Sequence, residues 1–336
     1  IVYDWLGRQE SVWVGINDQP ISGAWSPTSQ LNLVKVRQNE YDGGSAHTGD
    51  GNLTRVTLRP SGRDTPLPND ERHRVTQMWY DWRNRLVATK QGVEATEDER
   101  TNRPITLVEL DNLGRTTAIS IYDGDTVVVG DADSDGVPDI DGENQYRLRA
   151  RTENQYDDRS RIYQTTVLNV DQQYGLSSGG LVTSFWYDNR SNLIKTKQPG
   201  GLVSKSQFDG ASRLVRQYTS DEGGDTTWVD AGNVIGDAVL EQTNVEYDRN
   251  SNVVLVTTKQ RFHNATGTGA LQGPTAAPQA RITYVGNWYD DANRLRKTVD
   301  FGTYGGKAPE RDAEGRVLEK SRVAADGFDQ YLVTEF

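Results

Sequence analysis

The sequence contains no cysteine, so disulfides play no part in holding it together. Histidine is almost as scarce. His47, His73 and His263 are far apart in a chain of 336 residues, whereas zinc ligands come in close pairs. No run approaches the roughly 18 apolar residues that a membrane-spanning helix requires. No window sustains a 3.6-residue apolar period for three turns, so little helix is expected. A formal charge of −11 lacks the basic excess of a nucleic-acid scaffold and favours divalent cations instead. There is no Gly-x-Ser-x-Gly elbow for a serine nucleophile and no glycine-rich loop ending in Lys-Ser/Thr for phosphate. Carboxylates are plentiful enough for a glycosidase-like pair, but nothing in the sequence selects one. Apolar residues make up 34 %, too few for a compact core with two rich layers. A curved sheet wet on one face needs fewer, and the 15 Tyr and 8 Trp supply much of its packing.

What is present is repetition. A six-residue pattern, Tyr-Asp-x-x-(Gly/Asn/Ser)-(Arg/Asn), stands at Tyr3 to Arg8, Tyr80 to Arg85, Tyr156 to Arg161, Tyr187 to Asn192, Tyr247 to Asn252 and Tyr289 to Arg294. Phe208 to Arg213 is a further copy, and degenerate copies begin at Leu110-Asp111 and Arg311-Asp312. Because the copies run through both halves, one continuous array over 1–336 is expected rather than two ordinary domains. Each copy reads as strand, turn, strand. Flanking stretches such as Val253 to Thr258 are rich in Val and Thr and bounded by turn residues. The Asp suits the first position of a type I turn, where its carboxylate accepts N–H groups two residues on. Gly or Asn three residues later suits a left-handed backbone position, as in a three-residue hairpin loop with a bulge. Serine in that place, at Ser160, Ser191, Ser212 and Ser251, does not follow from this rule. Polar stretches at 42–50, 59–70, 94–100, 219–237 and 264–280 read as surface loops.

These copies resemble YD repeats, the unit of bacterial rearrangement-hotspot (RHS) proteins, of toxin-complex shell subunits and of teneurins. Tyr3 to Arg8, Arg213-Leu214 and Arg294-Leu295 match the family pattern Tyr-x-Tyr-Asp-x-x-Gly-Arg-Leu best. The resemblance covers nearly the whole chain. It implies an all-β fold, a spiralling array of antiparallel hairpins (ribbon, solenoid or shell-like) with little helix. The Asp-Pro-x-Gly-Leu autoprotease segment of many RHS shells is missing, since no Asp-Pro occurs in the chain.

One motif lies outside the repeat. In the segment 131–143, Asp131, Asp133 and Asp135 alternate, Gly136 follows, and Asp139 and Asp141 come after Val137. Carboxylates at positions 1, 3, 5 and 9 with Gly at 6 match the first part of a calcium loop, with the Val137 carbonyl as the ligand at 7. Position 12 is Gly142 rather than Glu, so an EF-hand is contradicted. Similarity to dockerin and thrombospondin type-3 calcium repeats suggests that Asp141 or Glu143 completes the shell. The expected ion is structural calcium held by Asp131, Asp133, Asp135, Val137, Asp139 and Asp141.

The function expected from these readings is a scaffold segment, not an enzyme, of a large secreted or cell-surface bacterial YD-repeat protein, as shell, stalk or fibre. The alternatives are a glycan- or cell-binding adhesion module presenting Trp25 and Trp228, and a carbohydrate-active enzyme on a repeat scaffold. The chain opens with the turn half of a hairpin and closes, at Leu332 to Phe336, with an approach strand. Flanking repeats of the same polypeptide or head-to-tail copies are therefore its expected partners, with neither nucleic acid nor a membrane span.

Overall fold

The computed structural model describes residues 1–15, 33–44, 49–59, 73–94, 97, 103–131, 133–175, 177–223, 225, 227–319 and 332–336. They fall into two compact units, one of residues 1–161 with 165–181 and the other of 162–164 with 182–336. Among the described residues there are strands and short 3-10 turns but no α-helix, and nineteen of the strands form antiparallel sheet. The all-β hairpin array expected from the sequence is what the chain forms.

In the first unit, Val2–Tyr3 pairs with Gln9–Gly15, which pairs with Leu33–Tyr41. The ladder continues through Leu53–Leu58, Arg74–Tyr80, Leu86–Gln91, Pro104–Leu110, Thr116–Asp123 and Leu148–Tyr156. In the second, residues 184–187 pair with Leu193–Lys197, followed by Val203–Phe208, Leu214–Ser220 and Val239–Tyr247. Val253–Arg261, Ala280–Tyr289, Leu295–Gly302 and Leu332–Glu335 complete that ladder.

Asp4, Asp81, Asp111, Asp157, Asp188, Asp209, Asp248, Asp290 and Asp312 all begin the same turn. The Asp N–H bonds the carbonyl four residues on at 2.9–3.0 Å, and its own carbonyl accepts the N–H three residues on at 2.9–3.2 Å. Its Oδ1 accepts two more backbone N–H groups; at Asp188 these come from Arg190 and Asn192, both at 2.8 Å. At every turn but that of Asp312 its Oδ2 binds the side chain that ends the motif, as in Arg213 Nε to Asp209 at 2.7 Å and Asn252 Nδ2 to Asp248 at 2.9 Å. The residue three after the Asp has φ between 59° and 79° at all nine turns, serines included. One residue of the return strand is bulged out: Trp79 faces Ala88 and Tyr80 faces Leu86, so Val87 is unpaired in the register and turns into the core.

A tenth turn is hidden in the segment expected to be only a loop. The N–H of Asp42 bonds the Asn52 carbonyl at 2.8 Å, and its Oδ1 accepts from Gly51 and Asn52 at 2.7 and 3.0 Å. Tyr41-Asp42 and Gly51-Asn52 are thus the two ends of a motif opened by an insertion.

Successive turns hold one another. Arg8 bonds its own Asp4 through Nε and reaches Asp42 with Nη1 at 3.0 Å, its guanidinium lying 4.4 Å over the Tyr41 ring. Arg115 and Arg213 repeat this over Tyr156 and Tyr247, both at 4.7 Å. Tyrosine hydroxyls return the contact: Tyr156 donates to the Thr116 carbonyl at 2.8 Å, and Tyr247 to that of Leu214 at 2.9 Å. Three of the four serines now have a reason. Ser160 Oγ accepts from Arg115, Ser212 from Asn192 and Ser251 from Arg213, at 3.2, 3.2 and 3.0 Å. Asn84 and Asn293 accept in the same way from Asn52 and Asn252. Serine there occupies a left-handed backbone that its Cβ disfavours, and supplies an acceptor to the preceding turn.

One face of each sheet is covered. Along Thr116–Asp123, Ala118, Ser120 and Tyr122 are buried while Ile119 and Ile121 are exposed. The covering layer is mostly irregular chain, apart from the two-stranded ribbon Val129–Gly130 with Asp139–Ile140. It consists of the connections at the ends opposite the turns, and they supply Val127, Val129 and Ile140 in one unit and Val234 and Leu271 in the other. The stretches at 219–237 and 264–280, expected as surface loops, therefore carry core: Ala231, Asp237 and Leu271 are buried.

Asp248→Ala is expected to lower stability in urea unfolding by about 1–3 kcal/mol, as one carboxylate leaves backbone and Asn donors unpaired. Ser251→Ala should cost about 1 kcal/mol, and Ser251→Gly less, because glycine relieves the backbone as it removes the acceptor. Gly114→Val, at φ +79°, should exceed the serine variants. Unchanged unfolding midpoints in all four would refute the account of the turns.

Acid is the second probe. The Arg213 backbone N–H and then its guanidinium hold Asp209 below its ordinary 3.8, against a smaller contrary effect of burial; Arg294 does the same to Asp290. A lowered folded-state value means stability that is complete above about pH 3.8 and is lost as pH falls through the lowered value. Melting temperature should therefore fall steeply only below that point, and Asp209→Asn should flatten the fall.

Candidate metal loop

The acidic segment sits at the tip of a long insertion between Thr116–Asp123 and Leu148–Tyr156. The insertion leaves the sheet at Gly124, whose N–H donates to the Arg103 carbonyl at 3.1 Å. No side chain fits there, since a Cβ would lie 2.4 Å from Ile105. Val127, Val129 and Ile140 then turn inward against Ala88, Ile105, Leu107, Tyr122 and Leu148, while Val128 faces solvent. Two short strands, Val129–Gly130 and Asp139–Ile140, pair antiparallel and close the loop between them.

Inside that loop Asp131, Asp133 and Asp135 converge, with one carboxylate oxygen from each within 4.8 Å of the others, all three residues exposed. Backbone bonds shape it: Gly136 N–H to Asp131 Oδ2 at 3.0 Å, Asp135 N–H to Asp133 Oδ1 at 3.2 Å, Val137 N–H to Asp135 Oδ1 at 2.7 Å. Gly136 has φ +83°, the sharp bend expected of it. Asp139 and Asp141 lie outside this three-carboxylate cluster. Asp139 is on the closing ribbon, its Oδ1 buried without a hydrogen-bond partner. Asp141 caps the 3-10 turn Gly142–Arg147 by accepting the Glu143 N–H at 3.3 Å. Three hard oxygen donors on a bend suit a hard divalent cation better than a transition metal.

The tip is docked at its far end as well. Trp82, in the Asp81 turn, donates its backbone N–H to the Gly136 carbonyl at 3.0 Å. A Cβ on Gly136 would sit 3.2 Å from the Trp82 indole, and the Arg83 guanidinium lies 4.4 Å over the same ring. The insertion thus reaches from the open ends of the strands back to the turn edge. No sequence signal tied Trp82, a residue of a repeat turn, to the acidic calcium-loop motif.

Buried cations anchor the covering layer, and these too escaped the sequence reading. Lys90 bonds the Val127 carbonyl at 2.7 Å and Glu97 at 2.8 Å. Arg103, 1 % exposed, pairs with Asp125 and Glu94. In the second unit, Lys195 binds Glu222 and Asp225 at 2.6 and 2.7 Å, and Lys259 bonds the Leu271 carbonyl at 2.6 Å. Burial, aided by Arg216, holds the Lys259 ammonium below its usual value. The one available signal was alternation: Lys195 and Lys205 occupy the inward phase of their strands.

Of the other residues singled out from sequence, Trp228 is exposed at the start of the 3-10 turn Trp228–Gly232. Trp25 and His47 lie outside the described residues. Among the described residues, no histidine joins a metal-ligating cluster and no helix is long and apolar enough to cross a membrane.

No protein-family model matches the chain, and no curated protein matches it. Solved structures do. A crystal structure of TcdB2-TccC3-Cdc42 is 14 % identical with a TM-score of 0.36, over 88 % of this chain and 13 % of that one. A crystal structure of TcdB2-TccC3 without its hypervariable C-terminal region is 14 % identical at 0.33, over 89 % and 15 %. The Photorhabdus luminescens Tc holotoxin pore is 13 % identical at 0.31, over 80 % and 14 %. The chain spans a small part of those polypeptides and superposes loosely on them, so the likeness decides neither fold nor function.

Proposed function

We propose that this chain is a structural segment of a large secreted or cell-surface bacterial YD-repeat protein, serving as shell, stalk or fibre rather than as a catalyst. The observation that carries the reading is the mutual hold of successive turns. The Arg or Asn of a turn closes its own Asp and grips the next turn, and where a tyrosine follows it bonds back, as at Arg213 with Ser251 and Tyr247. Such nearest-neighbour bonding makes an extensible wall, because every added repeat brings its own partner for the last. In this role its partners are flanking repeats of the same polypeptide or further copies of itself. A second reading, adhesion, draws on Trp228, which stands 54 % exposed on a covering segment where an indole can stack on a sugar face.

Electron microscopy of the parent assembly, with a tag in the 3-10 turn at Trp228, tests the first reading. The tag should decorate a continuous wall or shaft at a fixed place. A detached globule, or glycan-array binding that Trp228→Ala abolishes, would favour adhesion instead.

We further propose that the acidic loop takes a structural calcium ion through Asp131, Asp133, Asp135 and the Val137 carbonyl, with Asp139 or Asp141 drawn in. Three carboxylates held this close repel one another without a cation. Calcium titrated into the metal-free protein should release or absorb heat, raise the melting temperature and shift Trp82 emission. Asp133→Ala should remove all three responses. Absence of any heat at millimolar calcium rules the ion out.

A further inference from the structure

The second unit holds a charge cluster with more in it than anchoring the covering layer requires. Lys205 is 1 % exposed, on the inner face of Val203–Phe208. Its ammonium has three N–H groups but four oxygen neighbours. These are Asp225 Oδ1 at 2.7 Å, the Asp230 carbonyl at 3.1 Å, the Asn233 carbonyl at 2.7 Å and Asp237 Oδ2 at 2.8 Å. Asp237 is fully buried. Its Oδ2 also accepts the Ser220 hydroxyl at 3.0 Å, and its Oδ1 has no hydrogen-bond partner. Asp225 is shared, its other oxygen bonding Lys195 at 2.7 Å. Around them lie Val203, Tyr218, Val234, Val239 and Leu271.

An ordinary ion pair satisfies its oxygens and costs desolvation on both sides. This pair leaves one carboxylate oxygen bare, with an amine nitrogen in contact with the other and a second carboxylate on the same nitrogen. Those are the parts of an amide-forming site: nucleophile, electrophile, proton carrier and a hydroxyl at the developing oxyanion. We propose that Lys205 and Asp237 condense into an intramolecular isopeptide bond, with Asp225 carrying the proton.

The step balances without a co-reactant. One proton passes from the Lys205 ammonium to Asp237, leaving a neutral amine and a carboxylic acid. Nζ attacks Cγ and the N–C bond forms, while Ser220 holds Oδ2 as negative charge builds on it. Asp225 takes a second proton from nitrogen and delivers it to the Oδ1 hydroxyl, which leaves as water as the C–O bond breaks. The third hydrogen stays on the amide, and Asp225 ends as it began. Oδ1 is the oxygen whose departure breaks no hydrogen bond. Holding the reactants in contact in a dry site stands in for activation by an external group. The product exchanges two buried charges for a neutral amide and leaves Asp225 paired with Lys195. It ties the strand Val203–Phe208 to the end of the covering segment 221–238.

Intact mass spectrometry of the full chain, denatured after purification, reads the bond directly. The wild-type protein should weigh one water less than its sequence. Its digest should contain a branched peptide joining the segments of Lys205 and Asp237. Lys205→Arg and Asp237→Ala should each restore the full mass, and Asp225→Ala should slow conversion so that unreacted chain persists for longer. Full sequence mass in folded wild type overturns the proposal, with no reliance on how the variants fold. So does a water loss that maps elsewhere, such as a hydroxylamine-sensitive imide at Asp209-Gly210.

Discussion

Everything in this chain depends on one carboxylate accepting two backbone N–H groups. With Oδ1 bound to the residues two and four ahead, an aspartate fixes a tight reversal and positions the residue that ends the motif. A single side chain-to-backbone bond contributes about 1 kcal/mol, too little to define a fold. Repeated along each unit, and linked between neighbouring turns by guanidinium, hydroxyl and phenol, as at Arg115 with Ser160 and Tyr156 and at Arg213 with Ser251 and Tyr247, it gives a local reversal cooperative reach. The coupling is between neighbours only, so stability accumulates along the chain.

The sheet could not stand on this alone, because its inner face needs a cover. Domains pack two layers against a shared core, and here the second layer is mostly irregular chain. Valines, an isoleucine and a leucine supplied by the connections fill it, as Val127, Ile140 and Leu271 do. Irregular backbone carries carbonyls that strands would have paired, and the buried cations answer them: Lys90 to Val127, Lys205 to Asp230 and Asn233, Lys259 to Leu271. A low apolar fraction is compatible with this arrangement because lysine stems and charge pairs fill part of the space between layers.

How much of this was legible follows from distance along the chain. The Asp turn is written within six residues, so the hairpins, their bulges and the all-β fold could be read directly. Serine at the left-handed position could not, because its partner is the Arg or Asn of the preceding copy, some 20 to 45 residues away. Asp42 escaped for a related reason: the residues that complete its turn come ten positions later rather than four. The acidic loop was visible as spacing, and three of its carboxylates do converge. That Asp141 is engaged in capping, and that Trp82 receives the loop, are matters of tertiary placement. Lysines inside the core were invisible because alternation marks which face a residue takes, not what covers that face.

The opened turn at Asp42 has a consequence for engineering. Its grip requires only that Gly51 and Asn52 return to the carboxylate, whatever lies between. Closing a longer excursion costs little more with each added residue, since the entropy grows with the logarithm of length. Each aspartate in the series is therefore a port at which foreign peptide, an epitope or a small domain, can be grafted between the second and the fourth residue after it.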